Sequence, residues 1–218
     1  MEKLYFLPLR NLTIKNIIFD LGGVILNIDY QLTLDEFKKL GLQNFDNVFT
    51  KAKQIGIFDL FDKGLISPED FRNEIRSLAG VYLSDEQIYK AWNALLLDFP
   101  IQRLKLLEQL REQYKTYLLS NTNHIHCEVY NNTLEGIWNG HNLSYFFEKV
   151  YYSHKIHHRK PDQEAFELII KENSLNPAET LFIDDTEHHI EGARKVGLQT
   201  HFLNLKKGET IEDLFKTY

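Results

Sequence analysis

The chain has 218 residues, 43% of them hydrophobic and 26% charged, with a formal net charge of −6. That balance gives a packed globular core and argues against a nucleic-acid binder, which needs a basic face to neutralise phosphates. No apolar run approaches the roughly 20 residues of a membrane helix, and a lone cysteine, Cys127, rules out an intramolecular disulfide. Met1 to Arg10 carries no apolar h-region and no small-residue cleavage site, so the expected location is a reducing cytoplasm.

Residues 1–15 read as a short N-terminal extension. Asn16 to Phe19 is an apolar run that ends at Asp20 and is stopped by Gly22-Gly23, the pattern of a buried strand followed by a loop. From 28 to 98 the pattern turns helical. Ser67-Pro68-Glu69-Asp70 marks a helix start, and Ser84 with Gln87 three residues later forms a capping box. This stretch reads as an inserted helical cap. After Pro100 a helix is expected on Ile101, Leu104, Leu107 and Leu110. Strands follow at Tyr117–Leu119, Val150–Tyr152, Thr180–Ile183 and Gln199–Leu203. Helices are expected to open at Pro161, to run from the Asp184-Asp185 pair to Val196 with Gly197 as C-cap, and to start again at Thr210. Strands alternating with helices predict an α/β, doubly wound parallel sheet, with a Rossmann-like core over 16–27 and 99–218.

Three strands end in polar residues: Asp20, Ser120-Asn121 and Asp184-Asp185. In an open α/β sheet ligands bind beyond the carboxyl ends of the strands, so these residues can converge at one edge. Lys160, at the junction of a loop and a helix, completes a set of three carboxylates, a hydroxyl, an amide and an ammonium. Clustered carboxylates repel one another, and Mg2+, a hard cation with oxygen ligands, relieves this and bridges carboxylate to phosphate. Phosphoryl transfer needs positioning and charge stabilisation on the equatorial oxygens. Lys160 offers a point charge and Ser120 a hydroxyl. Gly22 and Gly23 let the backbone approach the ligand. Taken singly, each piece has a plainer reading. Asp184-Asp185 fits a capped helix start, Ser120 to Asn123 a polar turn, and Lys160 a solvated lysine.

Phe19-Asp20-Leu21-Gly22-Gly23-Val24, Leu119-Ser120-Asn121-Thr122-Asn123, Arg159-Lys160-Pro161-Asp162 and Phe182-Ile183-Asp184-Asp185 resemble, in order, the four motifs of the haloacid dehalogenase superfamily. The resemblance spans nearly the whole chain after residue 15. Within the superfamily it is nearest to bacterial sugar-phosphate phosphatases of the α-D-glucose-1-phosphate phosphatase type. It implies a phosphomonoester hydrolase with a small helical cap and Asp20 as nucleophile. Ser120, Asn121 and Lys160 would bind the phosphate together with the Gly22-Gly23 loop. Magnesium would be held by Asp20, the main-chain carbonyl of Gly22 and the Asp184-Asp185 pair, Asp185 directly. The implied partner is a small-molecule phosphate ester.

One position departs from the pattern. The resemblance places a second aspartate, the general acid and base, two residues after the nucleophile, and here that residue is Gly22. Such help is a 100- to 10,000-fold effect in typical enzymes, so Asp29 and His124 become candidate substitutes. Gly22 also motivates a phosphate-ligand binding or regulatory protein that has lost the chemistry. A metal-free haloacid dehalogenase is a third reading, against which the Asp184-Asp185 pair speaks. The histidines, among them His124, His126, His154, His157, His158, His188 and His189, lack companion cysteines at structural-zinc spacing. His188 or His189 is expected near the site, and Phe58 to Gly64 either hangs over it or is an ordinary helix and turn. Trp92 and Trp138 read as packing residues.

Overall fold

A computed structural model describes residues 4–6, 14–42 and 56–217. After a short strand, β1 (Leu4–Phe6), the first buried run forms β2 (Asn16–Phe19). Among the described residues four helices follow: α1 (Tyr30–Lys39), α2 (Ile57–Asp62), α3 (Pro68–Ala79) and α4 (Asp85–Asn93). Then come α5 (Ile101–Arg111), β3 (Lys115–Ser120), α6 (His124–Ile137), β4 (Lys149–Tyr152) and a single turn, α7 (Ser153–Ile156). The chain continues through α8 (Gln163–Glu172), β5 (Thr180–Asp184), α9 (Glu187–Lys195) and β6 (Gln199–Phe202). It ends in α10 (Ile211–Leu214) and β7 (Phe215–Thr217).

β2 to β6 form one all-parallel sheet in the order β4-β3-β2-β5-β6. The chain runs outward from β2 through β3 and β4, then returns to the other side of β2 for β5 and β6. That reversal beside β2 creates the crevice at the carboxyl ends of the strands. The register sets what lies there. Phe19 pairs with Ile183, so the next residues, Asp20 and Asp184, emerge side by side. The Asp20 amide also donates to the Ile183 carbonyl at 2.9 Å.

Alternate strand residues face opposite layers. Ile17, Phe19, Leu118 and Ile183 pack with Leu104, Leu107, Tyr130 and Leu134 of α5 and α6. Ile18, Tyr117, Leu119 and Phe182 pack with Phe166, Ile169 and Ile190 of α8 and α9. The helices between 28 and 98 have a core of their own: Phe37, Phe61, Phe71, Ile75, Ile88 and Trp92, joined by Ile125 of α6. Phe61 and Phe71 stack with centroids 4.2 Å apart. Each fully buried Phe adds roughly 1.5–3 kcal/mol of transfer free energy. The insert leaves and rejoins the sheet domain on neighbouring segments. Ile28 bridges Leu96 antiparallel, and Asn27 exchanges backbone hydrogen bonds with Asp98 and Leu97. The expected capping box of Ser84 with Gln87 forms, and the expected helix start at Ser67 also closes a box, with Asp70.

The structure departs from the sequence expectation in three places. Within the expected extension, Leu4–Phe6 pairs antiparallel with Phe215–Thr217, and the expected terminal helix is one turn leading into that strand. α6 was not anticipated. Pro161 stands two residues before α8 instead of opening it, because the Arg159 carbonyl and the Asp162 amide first close a turn. No described helix is long and apolar enough to cross a membrane.

Candidate active site

The three polar strand ends and the segment that carries Lys160 meet at the crevice. Lys160 is fully buried, and its ammonium donates to Asp20 Oδ1 at 2.5 Å and to Asp184 Oδ2 at 2.7 Å. Asp20, Asp184 and Asp185 each place a carboxylate oxygen within 4.8 Å of the others. Asp184 also accepts from the Thr186 amide at 2.8 Å and meets His189 Nδ1 at 3.0 Å. Of the His188-His189 pair, His189 is therefore the one that reaches the site. His188 is exposed and lies 3.4 Å from Glu191.

The backbone makes this convergence possible. Asn121 Oδ1 accepts from the Lys160 amide and Asn121 Nδ2 donates to the Lys160 carbonyl, both at 2.8 Å. Expected as a phosphate contact, Asn121 clamps the lysine's backbone between β3 and α8. Gly23, at φ +76°, lies against Asp185, and a Cβ there would overlap that carboxylate. At Gly22 a Cβ would come within 2.8 Å of Ile28 Cδ1. A side chain at residue 22 would crowd the end of Ile28, which lines the same cavity.

Electrostatics follow from burial. Burial raises the Asp20 carboxyl, and the attraction of Lys160 only partly offsets it. Burial acts the same way on Asp184, but Lys160 and His189 outweigh it and hold that carboxyl below the usual range. Burial opposes the charge on Lys160, but Asp184 and Asp20 keep it above the usual lysine range. Asp185 is pushed up to about 7 by burial, Asp20 and Asp184. Three carboxylates facing one ammonium leave an excess of negative charge, and their hard oxygen donors suit a divalent cation such as magnesium.

Above the carboxylates lies a cavity of about 700 Å³ shared by the sheet domain and the insert. Asp20, Gly22, Ser120, Asn121 and Asp185 line it from below, and Tyr30, Phe58, Asp59, Asp62 and Trp92 come from the insert. Trp92 both packs, stacked on His126 at 5.1 Å, and lines this space. Trp138 packs on Phe146. The candidate acids Asp29 and His124 flank this lining without belonging to it. Asp29 caps α1 by accepting from the Gln31 amide, and His124 lies against His154. Asp62, Asn123 and Arg159 have no individual role legible in the sequence. Arg159 reaches Asp59 Oδ1 at 2.9 Å and Asp62 Oδ2 at 3.7 Å, and Asn123 donates to Asp62 Oδ1 at 3.3 Å. The Phe58–Gly64 segment was the available signal: it is a helix and Gly turn, and it also overhangs the site.

The chain belongs to the haloacid dehalogenase-like hydrolases, whose family model matches residues 14–197. A D-ribitol-5-phosphate phosphatase from Bacteroides thetaiotaomicron is 36% identical over 187 residues, covering 86% of this chain and 90% of the relative. A sesquiterpene phosphatase from Aspergillus oryzae is 27% identical over 199 residues, covering 85% and 88%. Among solved structures, a haloacid dehalogenase family enzyme from B. thetaiotaomicron, in complex with magnesium and inorganic phosphate, matches with a TM-score of 0.80 at 40% identity. That match covers 87% of this chain and 93% of the other. On these matches the protein is a phosphoric monoester hydrolase of that family.

Proposed function

We propose that this phosphatase is magnesium-dependent, acts through an aspartyl-phosphate on Asp20, and takes a small sugar phosphate or sugar-alcohol phosphate. The observation that carries the reading is the buried cluster itself: three carboxylates within 4.8 Å of one another, two of them bonded to Lys160, beneath one cavity. When bound, magnesium would be held by Asp20, the Gly22 carbonyl and Asp185, with Asp184 direct or through water, and would screen the repulsion between carboxylate and phosphate.

In this reading an Asp20 oxygen attacks phosphorus, the alcohol leaves, and water then cleaves the acyl phosphate. Lys160 steadies charge on the phosphoryl oxygens, and the Asn121 clamp fixes where its ammonium stands. Ser120, on the cavity wall, offers a hydroxyl to the same oxygens. Asp184, bonded to Lys160 and His189, holds the lysine in place. The substrate class rests on the ribitol phosphate relative and on the polar wall formed by Asp59, Asp62 and Arg159.

A panel of sugar-alcohol, sugar (glucose 1-phosphate included) and isoprenoid phosphates, assayed with magnesium, tests this. The polyol esters are expected to turn over fastest, and chelation to stop the reaction. Asp20→Asn is expected to lose at least about 10,000-fold. Preference for the isoprenoid ester would overturn the substrate class. Turnover that survives Asp20→Asn, tight binding without turnover, or dehalogenation of a haloacid under chelation would overturn the mechanism.

A further inference from the structure

With Gly22 in place of an acid, a side-chain proton for the leaving alcohol has to come from another part of the cavity wall. The titratable groups there narrow quickly. Asp20 and Asp185 belong to the phosphate and metal chemistry. His189 directs Nδ1 at Asp184. His126 directs Nδ1 at Asn93, and burial leaves it neutral. Asp59 is half exposed and pairs with Arg159 and Lys63. Tyr130 is held well above the usual phenol range by burial, and Tyr30 is 68% exposed.

Asp62 is left, and its setting suits the task. It ends α2, the helix that overhangs the site. Its two oxygens face Asn123 and Arg159, which lie three residues after Ser120 and directly before Lys160. The insert's carboxyl is thus tied to the two segments that would grip the phosphate. Resting on the phosphatase reading above, we propose that Asp62 is the general acid and base that replaces the missing side chain at residue 22.

As an Asp20 oxygen bonds to phosphorus, the ester P–O bond breaks. Its electron pair passes to the alcohol oxygen, which takes the Asp62 proton. In the second step the Asp62 carboxylate takes a proton from water. The water oxygen bonds to phosphorus and the Asp20–phosphorus bond breaks. Inorganic phosphate leaves, and Asp62 is again protonated. Burial pushes Asp62 up to about 6 against the opposing pull of Arg159 and Asn123, with Asp59 adding to the rise, so the group can both give and take a proton near neutral pH.

The test is rapid-quench measurement of enzyme phosphorylation, with magnesium, in wild type and Asp62→Asn. Two esters are compared: an alkyl phosphate, whose alkoxide needs a proton, and p-nitrophenyl phosphate, whose nitrophenolate does not. Asp62→Asn is expected to slow phosphorylation by the alkyl ester 100- to 10,000-fold. The p-nitrophenyl ester should lose far less and show a burst of nitrophenol followed by slow turnover, which also reports that the variant is folded. A variant that slows both esters equally, or neither, overturns the assignment of Asp62 while wild type remains active. Wild-type protein without magnesium-dependent turnover of either ester overturns the phosphatase reading, and this proposal with it.

Discussion

Lys160 and His126 show how burial acts on single residues in opposite ways. The lysine keeps its charge because two carboxylates stand within 2.7 Å of its ammonium. Removing one partner of such a buried pair typically costs 3–5 kcal/mol, so the lysine and its carboxylates stand or fall together. His126 has no carboxylate. It stacks on Trp92, its Nδ1 donates to Asn93 Oδ1 at 2.9 Å, and burial pushes it down to about 3. The folded state therefore holds fewer protons than the unfolded chain between pH 6.5 and about 3, so stability falls as the pH falls through that window. Between pH 7.5 and 5 the loss from this residue is about 2 kcal/mol. Asp62, pushed up to about 6, and Asp185, pushed up to about 7, act in the opposite direction from pH 3.8 upward, so the wild-type curve alone mixes several groups. Urea unfolding of wild type and His126→Gln at both pH values separates them. The variant is expected to lose about 2 kcal/mol less on acidification. Equal losses would mean the ring is not held neutral.

Among the elements, α2 ties the insert to the sheet domain. Its far end turns through Gly64 at φ +64°, where a Cβ would overlap the His154 carbonyl. Around that contact Lys63 pairs with Asp162 at 3.1 Å, and His157 Nδ1 donates to the Lys63 carbonyl at 2.8 Å. Partly exposed ion pairs of this kind contribute about 0–1 kcal/mol each, so the close backbone approach decides how firmly the helix is seated. Gly64→Ala combines a strained backbone with a steric overlap and is expected to cost at least about 2 kcal/mol. Hydrogen exchange should rise in α2 and in 153–159 and stay unchanged in β2 and β3. A uniform rise, or none, would show that the turn does not seat the helix.

At the scale of the whole molecule, what was legible in the sequence was what is local. Buried parallel strands are short continuous apolar runs, so Asn16–Phe19 and Thr180–Asp184 announced themselves, and so did the acids that follow them. Capping boxes are spelled out within four residues. α6 was hidden because its buried face includes His126 and Tyr130 among many polar neighbours, which blurs the helical period. The pairing of Leu4–Phe6 with Phe215–Thr217 joins the two ends of the chain, and no local pattern encodes it. The same is true of Asp62 beside Arg159. Asn121 was read from its motif as a ligand contact, and only the fold shows it holding a backbone.

In the proposed mechanism Asp20 and Asp185 share one cation while Asp20 takes the phosphoryl group. A crystal structure grown with magnesium and beryllium fluoride, a mimic of the aspartyl-phosphate, would show both at once. The expected result is the fluoride adduct on an Asp20 oxygen beside the Lys160 ammonium, with the ion touching both Asp20 and Asp185. An ion bound elsewhere, or an Asp20 left bare, would contradict it.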